Sequence, residues 1–379
     1  MTYYPARAVV DLDHIRANVA RLGELASQSQ VMAVVKGDAY GHGLLPVARA
    51  ALQGGATWLG AAQLSEALRL RQGGITAPIL TWLHAPGAPY REALQAGLDL
   101  SVPADWTLQE ITAAARSTGI TARVHLKVDT GLGRGGAFLD EWTRLLHEAV
   151  DLQAEGLLHV VGVWSHLARA DEVGHPSVQS QIAVFEEAIA RAEAAGADLQ
   201  VRHLANSAGT LTAPETHYDL VRPGIAVYGL SPAPQTHPAS AMGLVPAMRL
   251  EAQVHLTKDA PADQGVSYGH TYTTSEDTTL AVIPMGYADG IPWHVSNSAP
   301  VLLGGRRHRI AGRVCMDQFV LDVGRHSGVR AGDTAVLFGS GTEGEATAQD
   351  WAEAAGTISY EIVTRLGTRV PRVYVGEQQ

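Results

Sequence analysis

The chain has 379 residues, of which 46% are hydrophobic and 17% are charged, and its formal net charge is −10. This length exceeds the roughly 100–200 residues of an ordinary domain, so we expect two domains, or a barrel with an appendage. The negative charge argues against nucleic-acid binding, because phosphates require a concentrated basic surface. No apolar run reaches the ~18 residues of a membrane span, so we expect no membrane role.

The cysteine count and the N-terminal segment bear on the compartment. Cys315 is the only cysteine, which excludes an intrachain disulfide and a cysteine-based metal cage, and we expect no metal site and a cytoplasmic location. The N-terminal segment has no continuous apolar core before a small-residue cleavage site, so we expect no export signal. The basic cluster Arg306–Arg309, bounded by Gly305 and Gly312, is interpreted as a solvated turn.

In chain order, the first predicted element is a helix over residues 11–25, with apolar residues at helical spacing after an aspartate. From residue 31 to about 228, short apolar runs alternate with helical segments, and the runs lack period-2 polarity, as in parallel sheets covered on both faces. The eight predicted strands are Val31–Lys36, Trp58–Ala62, Ile79–Leu83, Leu98–Val102, Ala122–Val128, His159–Ser165, Val201–Ala205 and Leu220–Val221. The predicted helices between them are Leu64–Arg71, Tyr90–Ala96, Asp105–Ala115, Leu139–Ala149 and Ser177–Ala195.

Eight strands with crossover helices predict an α/β fold that begins with a (β/α)₈ TIM-type barrel, and an open doubly wound sheet is the alternative. Beyond Leu230, a proline-rich loop, SPAPQTHPAS, precedes strand-like runs such as LAVIPM and FVLDVG. We therefore expect a C-terminal mostly-β domain. The predicted division is residues 1–10 as a strand that joins the β domain, 11–235 as the barrel, and 236–379 as the β-rich domain.

The segment AVVKGDAYGHG, residues 33–43, ends an apolar run on a lysine and continues into a glycine-punctuated loop. Lys36 therefore lies where a strand meets its following loop, the position of catalytic residues in a barrel. Burial disfavours an ammonium group, so a buried lysine there becomes a neutral amine able to attack a carbonyl. A solvated lysine at the end of a strand is the structural alternative.

Polar residues follow the other predicted strands as well. Barrels often bind phosphate after strands seven and eight, through glycine amides and hydroxyls, and both occur here, at Asn206-Ser207 and in RPGIAVYG. A phosphate site and an activatable lysine on one rim predict pyridoxal phosphate, whose aldehyde the lysine would hold as an imine. The structural alternatives are a helix N-cap for Ser207, an interior hydrogen-bonded role for His166 and turn geometry for Gly224. The rim residues are Lys36, Tyr40, Lys127, Asp129, Arg134, His166, Asn206, Ser207, Arg222, Gly224 and Ile225.

Taken together, these motifs resemble those of bacterial alanine racemase, a fold-type III pyridoxal phosphate enzyme, over residues 8–375. AVVKGDAYGHG is similar to its cofactor-lysine motif, LKVDTGLGR and WSHLA to its middle barrel motifs, and NSAG and RPGIAVYG to its phosphate loops. In the second part, VSYGHTYTT, IPMGYADG and GRVCMDQ resemble its remaining signatures. The resemblance implies two-base interconversion of L-alanine and D-alanine, supplying D-alanine for peptidoglycan, by a homodimer with shared active sites.

The resemblance also implies a role for each matching residue. Lys36 would hold the cofactor and act as one base, and Tyr268, reaching the site from the partner subunit, would be the other. Arg134 would position the cofactor and bind the substrate carboxylate, and a carbamylated Lys127 would hold Arg134. The implied cofactor-binding residues are Lys36, Tyr40, Arg134, His166, Asn206, Ser207, Arg222, Gly224 and Ile225. The implied substrate-side and corridor residues are Met316, Asp317 and Tyr287.

Two further expectations concern the surroundings of these residues. His166 and Arg222, which matches the arginine facing the pyridine nitrogen, are expected to form a polar network that influences Tyr268. An ungapped alignment of ISYEIVTRLGTRVPR puts Thr368 where some family members have a tyrosine that contacts the phosphate.

Three alternatives to alanine racemisation remain. They are a pyridoxal phosphate racemase of different or broader specificity, for example for serine, a decarboxylase of the same fold, and a cofactor-binding regulatory protein without turnover.

Overall fold

The structure, a computed structural model, describes residues 4–376, so the outermost parts of the predicted domains, residues 1–3 and 377–379, lie outside the described residues. Its first strand is β1 (Ala6–Asp11), and a parallel eight-stranded sheet follows along the chain. The strands of that sheet are β2 (Gln30–Val34), β3 (Trp58–Ala61), β4 (Ile79–Thr81), β5 (Asp99–Val102), β6 (Ala122–Lys127), β7 (Leu158–Trp164), β8 (Val201–His203) and β9 (Leu220–Val221).

The eight strands form a barrel. Their order is β8-β7-β6-β5-β4-β3-β2-β9, and every neighbouring pair is parallel. Backbone hydrogen bonds from Asp219 N to Arg202 O (3.1 Å) and from Arg222 N to Ala205 O (3.0 Å) join the segments at β9 and β8. This closure confirms the predicted (β/α)₈ barrel and excludes the open sheet.

The structure contains the predicted helices and several further ones. The first, Leu12–Leu25, is capped by Asp11, whose side chain accepts hydrogen bonds from the backbone amides of Asp13 and His14, as an N-cap should. The other helices are Leu44–Gln53, Leu64–Gln72, Tyr90–Gln95, Asp105–Thr118, Leu139–Ala154, Pro176–Ala194, Ser207–Thr212, Ala348–Ala355 and Ser359–Thr364. Short 3₁₀ helices are Pro214–Thr216, Ile225–Tyr228, Ala239–Met242, Tyr268–His270, Tyr287–Asp289 and Trp293–Val295. Among the described residues, no helix combines the length and apolar character needed to span a membrane.

The C-terminal part is mostly β-strands, as predicted. They are β10 (Met248–Gln253), β11 (Leu256–Ala260), β12 (Gly265–Val266), β13 (Tyr272–Thr273), β14 (Thr278–Ile283), β15 (Pro300–Leu303), β16 (Arg306–Arg309), β17 (Phe319–Asp322), β18 (Thr334–Phe338) and β19 (Arg372–Val375). Three sheets have the orders β16-β15-β18-β10-β1-β19, β11-β14-β17 and β12-β13. β1 pairs antiparallel with β10 and parallel with β19, so the N-terminal strand crosses to this part. We propose that the domain boundaries lie after residues 10 and 235.

The interpretation of the basic cluster as a turn was wrong. Arg306–Arg309 is the edge strand β16, paired in register with β15. The turn lies earlier, at Gly304 and Gly305, whose φ values of 60° and 74° suit a tight hairpin. Exposed arginines on an edge strand hinder pairing with another chain, so their charge protects the sheet edge.

Candidate active site

A cavity of about 530 Å³ opens at the end of the barrel where the strands finish. Its lining includes residues that end or follow each of the eight barrel strands, as expected for a TIM-type active site. Ten of the predicted rim residues are among them, and Asp129 is the exception. The ten are Lys36, Tyr40, Lys127, Arg134, His166, Asn206, Ser207, Arg222, Gly224 and Ile225.

The segment after β2 is a turn of left-handed helix, which the sequence did not predict. Four consecutive residues, Gly37, Asp38, Ala39 and Tyr40, have φ between 51° and 64°. Each non-glycine residue in this conformation costs about 1–2 kcal/mol. Such strain is typical of functional sites, where the surrounding structure holds it in place. We call residues 37–40 the left-handed turn; Lys36 immediately precedes it.

The environment of Lys36 favours its neutral amine. Partial burial lowers the pKa of Lys36 below its ordinary value, and the charge of Arg134 lowers it further. Glu66 opposes these effects. The Lys36 Nζ atom lies 6.0 Å from the ring centroid of Tyr40 and 5.9 Å from that of Trp82. A lysine in this state can act as a nucleophile or as a general base.

The loops after β8 and β9 meet at Ser207. Its Oγ accepts hydrogen bonds from Gly224 N (2.8 Å) and Ala226 N (3.3 Å). Asn206, not Ser207, caps the following helix, because its side chain accepts from Gly209 N (3.0 Å). The N-cap alternative for Ser207 is therefore wrong, and its hydroxyl faces the glycine loop.

Position 224 requires a glycine because the side chain of Tyr40 approaches it closely. A methyl group there would overlap the hydroxyl of Tyr40 and lie 3.0 Å from its Cζ atom. Tyr40 is 6% exposed, and its ring centroid is 4.8 Å from that of Tyr228, so it has little room to move. The missing side chain of Gly224 thus leaves room for the Tyr40 hydroxyl, close to the glycine loop and the Ser207 hydroxyl.

Arg222 is buried, and its guanidinium makes three hydrogen bonds. It donates to the carbonyls of Ser165 (2.6 Å) and Leu204 (3.0 Å), and Nη1 lies 3.1 Å from Nδ1 of His203. Burial lowers the pKa of Arg222 to about 9, so it remains a cation at neutral pH. The site therefore contains a fixed positive charge.

Two buried histidines continue this network to a carboxylate. His203 Nε2 lies 2.9 Å from His125 Nδ1, and His125 Nε2 lies 3.1 Å from an oxygen of Asp99. Because arginine only donates, His203 must accept at Nδ1, donate through Nε2, and thereby orient His125 toward Asp99. Burial, together with the charge of Arg222, holds the pKa of His203 well below its usual value. Among the described residues, no group of three histidine, cysteine, aspartate or glutamate side chains could hold a metal ion. We therefore infer that this hydrogen-bonded network supports Arg222.

Sequence reasoning missed these three residues. The available signal was a histidine near the end of β6 and another ending β8, each inside an apolar strand. The sequence could not show that His125 and His203, 78 residues apart, come into contact, because the inward side chains of alternate strands meet only in the folded barrel.

The loop after β6 presents Arg134 to the cavity. The carboxylate of Asp129 accepts hydrogen bonds from four successive backbone amides, those of residues 131–134, at 2.9–3.1 Å. Lys127, at the end of β6, is 9% exposed, and its Nζ lies 4.6 Å from the ring centroid of Trp164. Burial lowers the pKa of Lys127 to about 8, and the charges of Arg134 and Arg222 add to that effect.

His166 is held neutral, but its expected network is only partly present. Burial, then the charges of Arg222 and three other cations, hold the pKa of His166 well below its ordinary value. The hydrogen bonds of Arg222 go to His203 and to two backbone carbonyls. Among the described contacts, Arg222 therefore acts on His166 through charge and not through a hydrogen bond.

Four predicted residues lie outside the cavity, on the C-terminal part. Tyr268, Met316 and Tyr287 are 72%, 54% and 47% exposed, and Asp317 accepts from Arg369 (2.8 Å). Backbone hydrogen bonds join residues 287 and 288 to residues 315 and 316, and the Ser267 hydroxyl donates to Arg313 O, so the segments are neighbours. We call Tyr268, Tyr287, Met316 and Asp317 the outer cluster. Exposed apolar clusters mark interaction sites.

Thr368, which the ungapped alignment matches to a tyrosine position, is not among the residues that line the cavity. Thr368 is exposed, and Tyr360 lines the cavity instead, with its ring centroid 6.2 Å from that of Tyr40. Tyr360 belongs to the helix Ser359–Thr364, which packs so closely on the left-handed turn that a methyl group at Gly41 would overlap the carbonyl of Val363.

Comparison with known proteins places both parts of the chain in one family. Family models for the alanine racemase N-terminal domain and C-terminal domain match residues 10–232 and 247–374. An alanine racemase of Beutenbergia cavernae is 66% identical over 373 residues, covering 98% of each chain. One of Frankia casuarinae is 60% identical over 368 residues, covering 97% of this chain and 96% of that one.

Solved structures show the same relationship. The crystal structure of alanine racemase from Streptomyces lavendulae superposes with a TM-score of 0.98 at 54% identity, covering 100% of this chain and 99% of that one. That of Bacillus anthracis with bound L-Ala-P superposes with a TM-score of 0.89 at 37% identity, covering 99% and 96%. With a lysine-bearing cavity at the barrel mouth and matches across both of its parts, the chain belongs to the alanine racemase family, whose members depend on pyridoxal phosphate.

Proposed function

We propose that this protein interconverts L-alanine and D-alanine with pyridoxal phosphate at the barrel mouth. One observation carries the proposal: the half-buried Lys36, whose neutral amine is favoured, shares a cavity with the cations Arg134 and Arg222 and with the glycine loop at Gly224. When bound, pyridoxal phosphate supplies an aldehyde that joins the substrate amino group and a conjugated ring that withdraws electrons from the α-carbon.

The residues present fit this cofactor. Lys36 provides an amine for the aldehyde, and the glycine loop at Gly224, together with the nearby hydroxyls of Ser207 and Tyr40, offers hydrogen-bonding groups for phosphate oxygens. The remaining candidates for contact with the phosphate or ring are Asn206, Ile225, His166 and Tyr360. The cation of Arg222, fixed by three hydrogen bonds, balances part of the cofactor's negative charge.

Racemisation requires proton transfer on both faces of the α-carbon. We assign one face to Lys36, whose Nζ accepts and returns the proton, and the other to the hydroxyl of Tyr268. Arg134, presented by the loop that Asp129 organises, is assigned to the substrate carboxylate, for which a planar guanidinium is well suited. Met316, Asp317 and Tyr287 are assigned to the substrate side and its entry corridor.

We further propose that Tyr268 and the outer cluster serve the cavity of a second copy in a homodimer. This is supported by the position of Tyr268, which is 72% exposed and is not among the residues that line the cavity of its own chain. The exposed apolar side chains of the outer cluster would be buried in such a dimer. We propose a cytoplasmic enzyme that supplies D-alanine for peptidoglycan.

The function is tested with purified protein, pyridoxal phosphate and L-alanine in deuterium oxide, following optical rotation and α-deuteration together. We expect loss of rotation with deuterium incorporation, and neither in Lys36→Ala. Deuteration without loss of rotation would show a single working base. Release of carbon dioxide from another amino acid, racemisation of serine in preference to alanine, or cofactor binding without turnover would each contradict the proposal in favour of one alternative.

Carbamylation of Lys127 is a separate prediction with a defined pH dependence. Only the neutral amine reacts with carbon dioxide, and because the pKa of Lys127 is about 8, its reactive fraction rises as the pH passes through that value. With ¹³C-bicarbonate, we expect a carbamate resonance that grows from pH 7 to pH 9 and is absent in Lys127→Ala. A spectrum identical to that of the variant would show that Lys127 remains a free amine.

A further inference from the structure

Glu66 connects two of the loops at the barrel mouth. It lies in the first turn of the helix Leu64–Gln72. One carboxylate oxygen accepts from Gly37 N at 2.6 Å, and the other accepts from Ala62 N and Gln63 N at 3.1 Å each. A single carboxylate thus ties the loop after β3 to the residue that follows Lys36.

This contact holds the end of the left-handed turn nearest the lysine. The far end is held by packing, since Ala39 and Tyr40 are buried, and by Asp38, whose side chain accepts from Leu44 N (3.2 Å). At the near end, Gly37 is exposed, and nothing lies within 4 Å of the position that a Cβ atom would take. Backbone hydrogen bonds from Ala39 N to Val35 O (2.8 Å) and from Gly41 N to Gly37 O (2.9 Å) also support the turn, and Glu66 adds at this end a hydrogen bond to a charged acceptor, which is of the strong kind.

The charge of Glu66 acts on Lys36 as well. Among the groups that perturb this lysine, burial and Arg134 lower its pKa and Glu66 raises it. The balance matters because the amine must be neutral enough to react, yet basic enough to remove a proton from carbon.

We propose that Glu66 is a positioning residue for Lys36: it anchors the left-handed turn and places a negative charge beside the amine. Glu66 does not touch the reacting atoms and acts through Gly37 and through its charge. The inference rests on the proposed function of Lys36. Its test therefore includes measurements that do not depend on racemisation.

The experiment compares Glu66→Gln and Glu66→Ala with the wild type in the full-length protein. The first measurement is the pH dependence of Lys36 acetylation in cofactor-free protein, followed by peptide mass spectrometry. The second is the Kd for pyridoxal phosphate. The matched control is Asp350→Asn, because Asp350 also occupies the first turn of a helix and accepts the N-cap amide, from Thr347 N at 2.8 Å, but lies in the C-terminal part.

In Glu66→Gln, which preserves shape and removes charge, we expect the acetylation midpoint of Lys36 to move about half a pH unit lower. In Glu66→Ala we expect the Kd for pyridoxal phosphate to rise about tenfold, because the turn loses its anchor. Asp350→Asn should change neither. Acetylation and Kd values in Glu66→Gln equal to those of the wild type and the control would overturn the proposal. The expected changes in the Glu66 variants, together with no racemisation by the wild type, would refute the proposed function and support the positioning role of Glu66.

Discussion

A mixed population of Lys36→Ala and Tyr268→Phe chains is expected to recover about one quarter of wild-type racemase activity, although each variant alone is inactive. In the proposed dimer, each site takes Lys36 from one copy and Tyr268 from the other. A mixed dimer then contains one complete site and one site that lacks both bases. Random association makes about half of the dimers mixed, and each of these has half of its sites complete.

The measurement requires co-expression of the two variants with different affinity tags. A mixed dimer purified through both tags should have about half of the wild-type activity. Lys36→Ala alone should lose about 10⁴-fold or more in kcat/KM, because it removes both the attachment point and one base. A mixed dimer as inactive as its parents would show that Tyr268 serves its own chain. A monomeric wild type in sedimentation would exclude the shared site altogether.

The second large effect is expected in Gly224→Ala, in which the Kd for pyridoxal phosphate should rise about 100-fold. The added methyl group would overlap the Tyr40 hydroxyl and displace it from the position at which we assign it to the phosphate. Because overpacking a rigid site costs about 1–3 kcal/mol, the melting temperature should also fall by about 2–6 °C. Equilibrium dialysis measures the first quantity and calorimetry of the cofactor-free protein the second.

Two further variants separate the effect of Gly224→Ala on stability from its effect on cofactor affinity. Gly23→Ala, inside the first helix, places its methyl group 3.9 Å from the nearest atom of Val31, an ordinary contact, so both quantities should remain unchanged or stability should rise slightly. The double variant Gly224→Ala with Tyr40→Phe removes the overlapping hydroxyl and should regain much of the lost stability but not the cofactor affinity. Full affinity in Gly224→Ala would show that the phosphate lies elsewhere.

Much of the barrel could be predicted from the sequence because parallel strands covered on both faces are continuous apolar runs. All four residues of β3 and of β5 are buried, for example, and both strands were predicted. The positions of polar residues after these runs then located the rim, since every strand of a barrel ends at the same side. Lys36, Arg134 and Arg222 were found in this way and do line one cavity.

Contacts between distant segments could not be predicted in the same way. The Arg222–His203–His125–Asp99 network joins residues on or directly after four strands, and the place of Tyr360 in the cavity depends on where one helix packs. The helix Leu44–Gln53 and the left-handed turn before it were also missed, because no local pattern distinguishes four residues of positive φ from an ordinary glycine-rich loop.

The sequence by itself determined the fold class, the family resemblance and the set of residues at the barrel rim, because strand patterning and motif spacing are local properties of the chain. Only the tertiary structure decided which of those residues meet, what holds them and which lie apart. In the folded protein, Glu66 accepts a hydrogen bond from Gly37 N, Asn206 is the N-cap of its helix, and Tyr268 is exposed. These are distances through space between segments separated along the chain, and burial and charge act through such distances.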